Sequence, residues 1–282
     1  MIACRYVAST PGWMGRCQEG LANSPTLRSL RRKIFRHIPF PVLASDVRDV
    51  LYANWLVPVE AVASLVPPEI ELTDIDGTAL LTVLSYRHHH FGPALAGPLR
   101  VLFPSPLQSN WRLYVRAVRG RTPPRPTVLF IRNIFDQPLY AVGTRLFSDA
   151  LPSLLAGRFK HQREAGTWET TIDDASGAGD IVLVAEECDR PALPQSFASF
   201  ASDWAEAIRR ICLQDAAIAH VGDIGRLARG DIDLPIDPVT ARPLHVLRYE
   251  PGPSLRNWGA TAEPFCFGIP AVRFRVLGEQ LT

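Results

Sequence analysis

The stretch from Leu107 to Val118, LQSNWRLYVRAV, alternates between two sets of side chains along its whole length. Successive side chains of a β-strand point to opposite faces, so this period of two predicts a strand with one apolar face. The opposite, polar face carries Gln108, Asn110, Arg112, Tyr114 and Arg116. In an open sheet this row would face water. In a sheet that closes into a barrel, the same row lines a cavity and becomes a binding surface.

The rest of the chain is rich in strand patterns and poor in helical ones. Its 282 residues, 47% of them hydrophobic, suffice for one large domain or two small ones. Helices are expected over residues 139–151 and 196–221, with an irregular connection over 222–243. Many strands, few helices and no βαβ alternation predict an α+β fold, a mixed, mostly antiparallel β-barrel with flanking helices. The other predicted strands cover residues 46–57, 69–73, 78–87, 127–135, 158–164, 167–173, 181–187, 244–249 and 265–276.

The N-terminal region carries weaker patterns. Residues 1–26 show no period and are predicted to be a poorly ordered extension, which leaves residues 27–282 as a single domain. Residues 27–38 combine apolar residues near helical spacing with five basic residues. They can be interpreted as a membrane-surface or partner helix. The alternative is a short solvated helix packed by its leucines, which the narrow apolar face favours.

Composition excludes several classes of protein. The net charge of +2 gives no electrostatic case for nucleic acid binding. No apolar run approaches the roughly 20 residues that span a bilayer, and the N-terminus lacks the apolar segment of a signal peptide. Five cysteines at wide spacing, without a CxxC pair, argue against a disulfide framework and a cysteine zinc site. We therefore expect a reducing, cytoplasmic location.

Two short motifs invite specific chemistry. His88 and His90 of a histidine triplet would share a face of a strand, and His161, His220 or His245 could add a third metal ligand. No second histidine is spaced to match, and no acidic residue lies beside the triplet, so we predict no metal and no cofactor. The glycines of residues 176–179 are better explained by a hairpin turn than by a phosphate loop, since they lack GxGxxG and a lysine.

A family resemblance becomes visible once these elements are placed. The run from Leu51 to Tyr86 resembles the start of a bacterial family of uncharacterised YqjF-like proteins, distant relatives of acetoacetate decarboxylase. The family's tryptophan matches Trp55, and its Asp-Gly turn matches Asp76-Gly77. Its leucine–proline segment matches residues 65–68, and its third block resembles residues 127–152. Its motif Glu-x-Asn-x-Arg-x-Tyr-Val is similar to Gln108, Asn110, Arg112, Tyr114 and Val115.

The resemblance implies a conical β-barrel in which the polar row faces an internal cavity. It also implies two departures. Where the decarboxylase branch has a lysine that forms a Schiff base, this chain has Ser153, and where it has a glutamate, this chain has Gln108. Serine cannot form an imine and an amide cannot act as a general base, so decarboxylation by that route should be absent.

We therefore predict a small-molecule-binding barrel whose ligand is a small organic anion. Arg112 would anchor the anion, because a guanidinium pairs bidentately with a carboxylate. The predicted ligand-binding set is Gln108, Asn110, Arg112, Tyr114 and Ser153. One alternative is a lysine-independent lyase or hydrolase acting on a keto or hydroxy acid, with Tyr114 or His220 as acid or base. Another is a noncatalytic interaction subunit that docks through residues 27–38. Formation of a homo-oligomer is left open.

Overall fold

The computed structural model describes residues 5–173 and 180–282 of the chain. Most strands are antiparallel and belong to one continuous sheet, with helices placed against it. The strands are β1 (Leu43–Pro58), β2 (Ile70–Leu72), β3 (Asp74–Ile75), β4 (Thr78–Arg87), β5 (Gly92–Pro93), β6 (Leu107–Val118), β7 (Thr127–Phe135), β8 (Leu154–Leu155), β9 (Arg158–Glu164), β10 (Thr167–Asp173), β11 (Ile181–Glu187), β12 (Ala216–Val221), β13 (Arg226–Asp233), β14 (Arg242–Pro251) and β15 (Phe265–Leu281). The predicted α+β fold class is confirmed.

The helices are short and flank the sheet. They are α1 (Trp13–Ala22), α2 (Pro25–Phe35), α3 (Val59–Val62), α4 (Pro138–Phe147), α5 (Trp204–Cys212) and α6 (Pro253–Asn257). Turns of 3₁₀ helix cover Ala63–Leu65, Ala94–Leu102, Gln195–Phe197 and Pro238–Thr240. In the part of the chain that the structure describes, no helix is long and apolar enough to cross a membrane.

Seven of the described strands form a closed ring. Its order is β1, β4, β6, β7, β12, β13 and β15, and β15 returns to pair with β1. The pair β7–β12 is parallel, whereas the other six are antiparallel. Because the ring closes, one face of every strand in it points inward, as the sequence pattern of β6 requires.

A second layer covers part of the outer face of this ring. From β15 the sheet continues through β14, β11 and β10 to β9. Trp111 and Leu113 of β6 share the core between the layers with Trp168 of β10 and Leu183 of β11. Trp111 also meets Trp258, just after α6, edge-on at 5.8 Å between ring centroids. The apolar face of β6 thus packs against the second layer rather than under covering helices.

Six strands have the bounds that the sequence predicts: β4, β6, β7, β9, β10 and β11. The helix predicted over 139–151 ends earlier, at Phe147, because Ser148 adopts an extended backbone with φ −134° and ψ 143°. The hairpin loop predicted after β10, including residues 176–179, lies outside the described residues.

The prediction for residues 196–243 is wrong. Trp204–Cys212 is the α-helix in this range, and the predicted helix and irregular connection contain β12 and β13 instead. The apolar stripe of α5 stops at Ile211, and Ile218 continues its spacing by chance on a strand. In β13 the buried positions combine Ala228 and Gly230 with Leu227 and Ile232, whose spacing of five does not alternate, so hydrophobic periodicity does not predict a strand.

The prediction of a poorly ordered N-terminal extension is also wrong for much of that region. Residues 13–22 form α1, and Tyr6 is fully buried. The backbone N–H of Tyr6 donates to Asn23 Oδ1 at 2.9 Å. The backbone carbonyl of Ala22, at the end of α1, accepts a hydrogen bond of 3.2 Å from Arg145 Nε of α4. These contacts fix the segment on α4. Residues 1–4 lie outside the described part of the chain.

Helix α2 is packed by its basic residues. Arg31 forms ion pairs with Asp149 and Glu279, the second at 3.3 Å, and Arg32 pairs with Asp149 at 2.7 Å and Asp223 at 2.9 Å. The Asp149 side chain retains 3% of its exposure, so these cations are held against a buried acid.

Three of the apolar residues of the same segment point to solvent, whereas Leu27 and Phe35 are partly buried. The exposed fraction is 53% for Leu30, 46% for Ile34 and 54% for Ile38. The interpretation of residues 27–38 as a helix packed by its leucines is therefore wrong. An unpartnered apolar face remains on the outside of α2.

Candidate functional site

The inside of the ring contains a cavity of about 50 Å³. A water molecule needs roughly 10–15 Å³ measured in this way, so the space fits about four waters or a small organic molecule. Gln108, Asn110 and Arg112 of β6 line it, as the alternation of that strand and the closure of the ring predict. Apolar side chains such as Phe130 and Val272 form much of the remaining wall. Helix α5 packs against the inner face of the ring through Ile208 and Ile211.

Arg112 is the central group of the cavity wall. Its side chain is fully buried, and its Nη2 donates to Tyr114 Oη at 3.0 Å and to the carbonyl of Ile211 at 3.1 Å. The guanidinium carbon lies 5.6 Å from the ring centroid of Tyr52 and 5.4 Å from that of Tyr114. Its Nε and Nη1 are buried without a hydrogen-bond partner. Two donors of a buried cation are thus available to a ligand.

No carboxylate in the described part of the chain pairs with Arg112. Glu279 is the acidic residue among those described that line the cavity, and its carboxylate is already engaged. It accepts from Ser148 Oγ, from the backbone N–H of Asp149 at 2.7 Å and from Arg31. Among these residues, therefore, no internal acid pairs with Arg112.

Burial acts differently on the groups around this cation. It lowers the pKa of the Arg112 guanidinium, but the neighbouring oxygens of Tyr114 and Tyr52 outweigh that effect and the net pKa is raised. Burial raises the pKa of Tyr114 and raises that of Tyr52 well above its usual value, although Arg112 opposes both. Burial also raises the pKa of the Cys212 thiol to about 12. Arg112 is therefore a cation surrounded by neutral groups at neutral pH.

A chain of amides lies beside Arg112 on the cavity wall. Gln108 Nε2 donates to Asn133 Oδ1 at 3.0 Å, and Asn110 Nδ2 donates to the same oxygen at 2.7 Å. Asn133 is directly opposite Asn110 in the register of β6 and β7. The chain ends at His88, whose Nε2 lies 2.6 Å from Gln108 Oε1.

The other predicted site residues lie outside the cavity lining. Tyr114 Oη donates to the carbonyl of Ile211 at 2.7 Å and accepts a hydrogen bond from Arg112. It therefore holds the guanidinium in place without lining the cavity itself. Ser153 is fully buried, and its Oγ donates to the carbonyl of Leu151 at 3.2 Å. His220 on β12 is not among the cavity residues either.

The histidine triplet does not gather metal ligands. His88 is stacked on Phe91 at 4.3 Å between ring centroids and is hydrogen-bonded to Gln108. His161 lies between Thr170 Oγ1 at 2.8 Å and the carbonyl of Asp49 at 2.6 Å. Within residues 5–173 and 180–282, no three His, Cys, Asp or Glu side chains are arranged to hold a metal ion.

Sequence reasoning missed three polar groups of the site. Asn133 is the one side-chain amide in β7 and lies between Arg132 and Ile134, and that amide was the available signal. Gln214 follows α5, lines the cavity and leaves its Oε1 buried without a partner. His88 was considered only as a metal ligand, although it contacts Gln108.

Comparison with known families now identifies the group to which the chain belongs. Residues 45–195, more than half of the sequence, match the DUF2071 family, described as an uncharacterized conserved protein. The chain belongs to this family. The matched region includes most of β1, the polar row of β6 and the amide chain. The resemblance to YqjF-like proteins is thereby confirmed. No curated protein matches the DUF2071 chain at a significant level.

Solved structures show a similar fold at low sequence identity. An acetoacetate decarboxylase from Legionella pneumophila is 12% identical, with a TM-score of 0.58 over 86% of this chain and 87% of that one. The enduracididine biosynthesis enzyme MppR, with HEPES bound, is 13% identical, with a TM-score of 0.57 over 86% and 88%. An acetoacetate decarboxylase-like enzyme from Sphingomonas wittichii RW1 is 8% identical, with a TM-score of 0.57 over 87% and 94%. The DUF2071 chain thus has an acetoacetate decarboxylase-like fold.

Proposed function

We propose that this protein binds a small organic carboxylate in the ring cavity, with Arg112 as its anchor, and that it does not act as a Schiff-base decarboxylase. The observation that carries the proposal is the pair of unpartnered donors, Nε and Nη1, on a fully buried guanidinium. A buried charge is costly unless it is paired, and a carboxylate oxygen can accept a hydrogen bond from either of these N–H groups.

The size and wall of the cavity support a ligand of a few non-hydrogen atoms. A structural relative, MppR, which is 15% identical with a TM-score of 0.55, has been solved in complex with pyruvate. Pyruvate is a carboxylate of that size. We place the activity in the cytoplasm, in keeping with free thiols at the cysteines that the structure describes, Cys17, Cys188, Cys212 and Cys266. An anionic small-molecule ligand is therefore the partner that we propose for the cavity.

The test compares Arg112→Met with Arg116→Met. Methionine roughly keeps the packing of the arginine stem, and Arg116 lies on the same strand with its side chain 63% exposed in an ion pair with Glu71. In calorimetry, we expect each of three acids, acetate, lactate and 3-hydroxybutyrate, to bind Arg116→Met as tightly as it binds the wild-type protein. Binding should be lost in Arg112→Met.

Thermal melting of both variants controls for folding. If Arg112→Met does not fold, Arg112→Lys is the second variant, because it keeps the charge and loses the planar fork. A folded Arg112→Met that binds these acids as tightly as wild type contradicts the proposal. So does a wild-type protein that binds none of them at millimolar concentration.

A second candidate function rests on the outside of α2. We propose that this face contacts an anionic lipid surface. Leu30, Ile34 and Ile38 are exposed together, and the exposed residues between and beside them include Lys33 and Arg36. Residues 5–42 contain seven arginine or lysine residues and one acid, Glu19. Basic residues beside an apolar helix face suit anionic headgroups, whereas two copies of such a face would repel each other.

Vesicle sedimentation tests this second candidate. We expect the protein to pellet with vesicles containing phosphatidylserine and to stay in solution with phosphatidylcholine alone. The double variant Leu30→Ser, Ile34→Ser should lose binding, whereas Val239→Ser, at a site that is 90% exposed elsewhere, should keep it. Absence of binding to phosphatidylserine, or a dimer in ultracentrifugation that the double variant abolishes, would refute lipid contact.

A further inference from the structure

The amide chain of the cavity wall is buried over its whole length. His88 is fully buried, and the exposed fraction is 4% for Gln108, 4% for Asn110 and 1% for Asn133. Each side-chain amide has an acceptor end and a donor end, so neighbours must alternate. The orientation of one group therefore dictates the orientation of the next.

The proton on His88 sets the direction of this chain. Burial lowers the pKa of His88 to about 4, so the ring is neutral at pH 7 and carries one N–H. His88 Nδ1 is buried without a partner. With the proton on Nε2, one donor group of the chain, Asn133 Nδ2, is buried without an acceptor. A proton on Nδ1 would reverse the amides and leave two such groups, the Nδ1–H of His88 and the NH₂ of Asn110, so the proton belongs on Nε2. His88 Nε2 then donates to Gln108 Oε1.

The orientation of Gln108 then determines the orientation of each following amide up to the cavity. With its Oε1 facing His88, Gln108 presents Nε2, which requires the oxygen of Asn133 as its acceptor. Asn110 meets the same oxygen and must donate its Nδ2. The remaining atom of that amide, Asn110 Oδ1, is left buried without a partner.

The cavity wall offers three kinds of unpartnered group, one of which is the Tyr52 hydroxyl, which can donate to a carboxylate oxygen. Arg112 provides charged donors, and Asn110 Oδ1 provides an acceptor two residues away on the same face of β6, about 7 Å along the strand. Gln214 Oε1 is a second buried acceptor on the wall. A ligand that satisfies this wall needs a carboxylate and a separate hydrogen-bond donor.

We propose that the ligand is a small hydroxycarboxylate, whose hydroxyl donates to Asn110 Oδ1, and that His88 is the positioning residue that makes the cavity prefer hydroxy acids over keto acids. This inference rests on the proposed carboxylate site at Arg112. In a keto acid, a carbonyl oxygen replaces the hydroxyl and would face another acceptor. A buried acceptor would then lose its hydrogen bond.

Matched pairs of acids test the preference directly. We expect 3-hydroxybutyrate to bind about tenfold more tightly than acetoacetate, and lactate about tenfold more tightly than pyruvate, which corresponds to one hydrogen bond. If none of the four acids binds, both the proposed function and this inference fail. If all four bind with equal affinity, or the keto acids bind more tightly, the carboxylate site stands and the hydroxy-acid inference is overturned.

Two variants isolate the role of His88. His88→Phe keeps a ring stacked on Phe91 but removes the donor that orients Gln108, so the preference should fall towards one while both acids still bind. Adding Asn133→Asp to this variant should restore the preference for hydroxy acids. A carboxylate can only accept hydrogen bonds, so Asn110 must again donate its NH₂ group to residue 133. A preference that survives His88→Phe, or that the double variant does not restore, overturns the positioning role.

A spectroscopic measurement needs no variant. Long-range ¹H–¹⁵N correlation of the wild-type protein should show the His88 proton on Nε2. A proton on Nδ1 would reverse the amide chain, place the Asn110 NH₂ group in the cavity and overturn the inference even if His88→Phe does not fold.

Discussion

Arg112 and His88 are both fully buried, but burial leaves them in opposite charge states. The guanidinium keeps its proton because its intrinsic pKa is high and because Tyr114 and Tyr52 surround it with oxygens and ring faces. The imidazole of His88 loses its charge because desolvation lowers its pKa to about 4. The ring interior thus separates a fixed cation from a neutral hydrogen-bond donor.

Burial of two histidines predicts loss of stability in mild acid. The pKa of His161 is also lowered to about 4 by burial, against about 6.5 in an unfolded chain. Between these values the unfolded state binds more protons, so the free energy of unfolding falls as the pH drops from 7 towards 4. At pH 5 each of His88 and His161 should contribute a loss of about 2 kcal/mol.

Urea unfolding at pH 7 and pH 5 measures this effect. His161→Gln should reduce the pH dependence of the free energy of unfolding by about one proton. An equal pH dependence for wild type and His161→Gln would show that this histidine is not neutral in the folded state.

The candidate site could be predicted from the sequence only in part. The alternation of β6 places Gln108, Asn110 and Arg112 on one face, because that depends on a single strand. The position of Asn133 opposite Asn110 depends on the register between β6 and β7, which a single strand does not encode. Ser153 was predicted as a site residue from the family resemblance. Its side chain donates a hydrogen bond to the carbonyl of Leu151 and does not line the cavity.

At the scale of elements, strands with clear alternation were predicted to the residue, whereas α2 was misread. A narrow stripe of Leu30 and Ile34 among arginines suggested an apolar face directed inward. The outcome was decided by Asp149, which lies far away in the sequence and offers a buried carboxylate to Arg31 and Arg32. Local periodicity cannot report such a partner, so the orientation of α2 could not be derived from its own residues.

The same reasoning explains the missed strands. Buried positions of β12 and β13 are filled largely by alanine and glycine, which carry little hydrophobic signal. Their strand conformation is imposed by neighbours, β7 on one side and β15 on the other. Ring closure was therefore expected from the overall count of strands and from the resemblance, but the strands that complete it were not.

At the scale of the whole molecule, the distribution of lysine constrains the chemistry. The chain has two lysines, and neither lines the cavity. Lys160 Nζ on β9 pairs with Glu169 at 2.6 Å, and Lys33 is exposed on α2. A Schiff base requires an amine beside the bound carbonyl compound, so we expect no imine to form in the cavity.

Borohydride trapping checks this consequence. After incubation with acetoacetate and sodium borohydride, the intact mass of the protein should show no stoichiometric adduct. An acetoacetate decarboxylase treated in parallel serves as the positive control. One equivalent of adduct that peptide mapping places on Lys160 or Lys33 would refute the absence of imine chemistry.

The pairing of β1 with β15 has a consequence for biosynthesis. It joins Leu43 to Val276, so the contact that closes the ring spans more than two hundred residues of chain. Contacts of such sequence separation carry a high loop entropy and form slowly. Until residues 265–281 have left the ribosome, the ring lacks β15 on one side of the cavity, so we expect Arg112 to remain in contact with water up to that point. We therefore expect the desolvation of this cation to be a late step of folding.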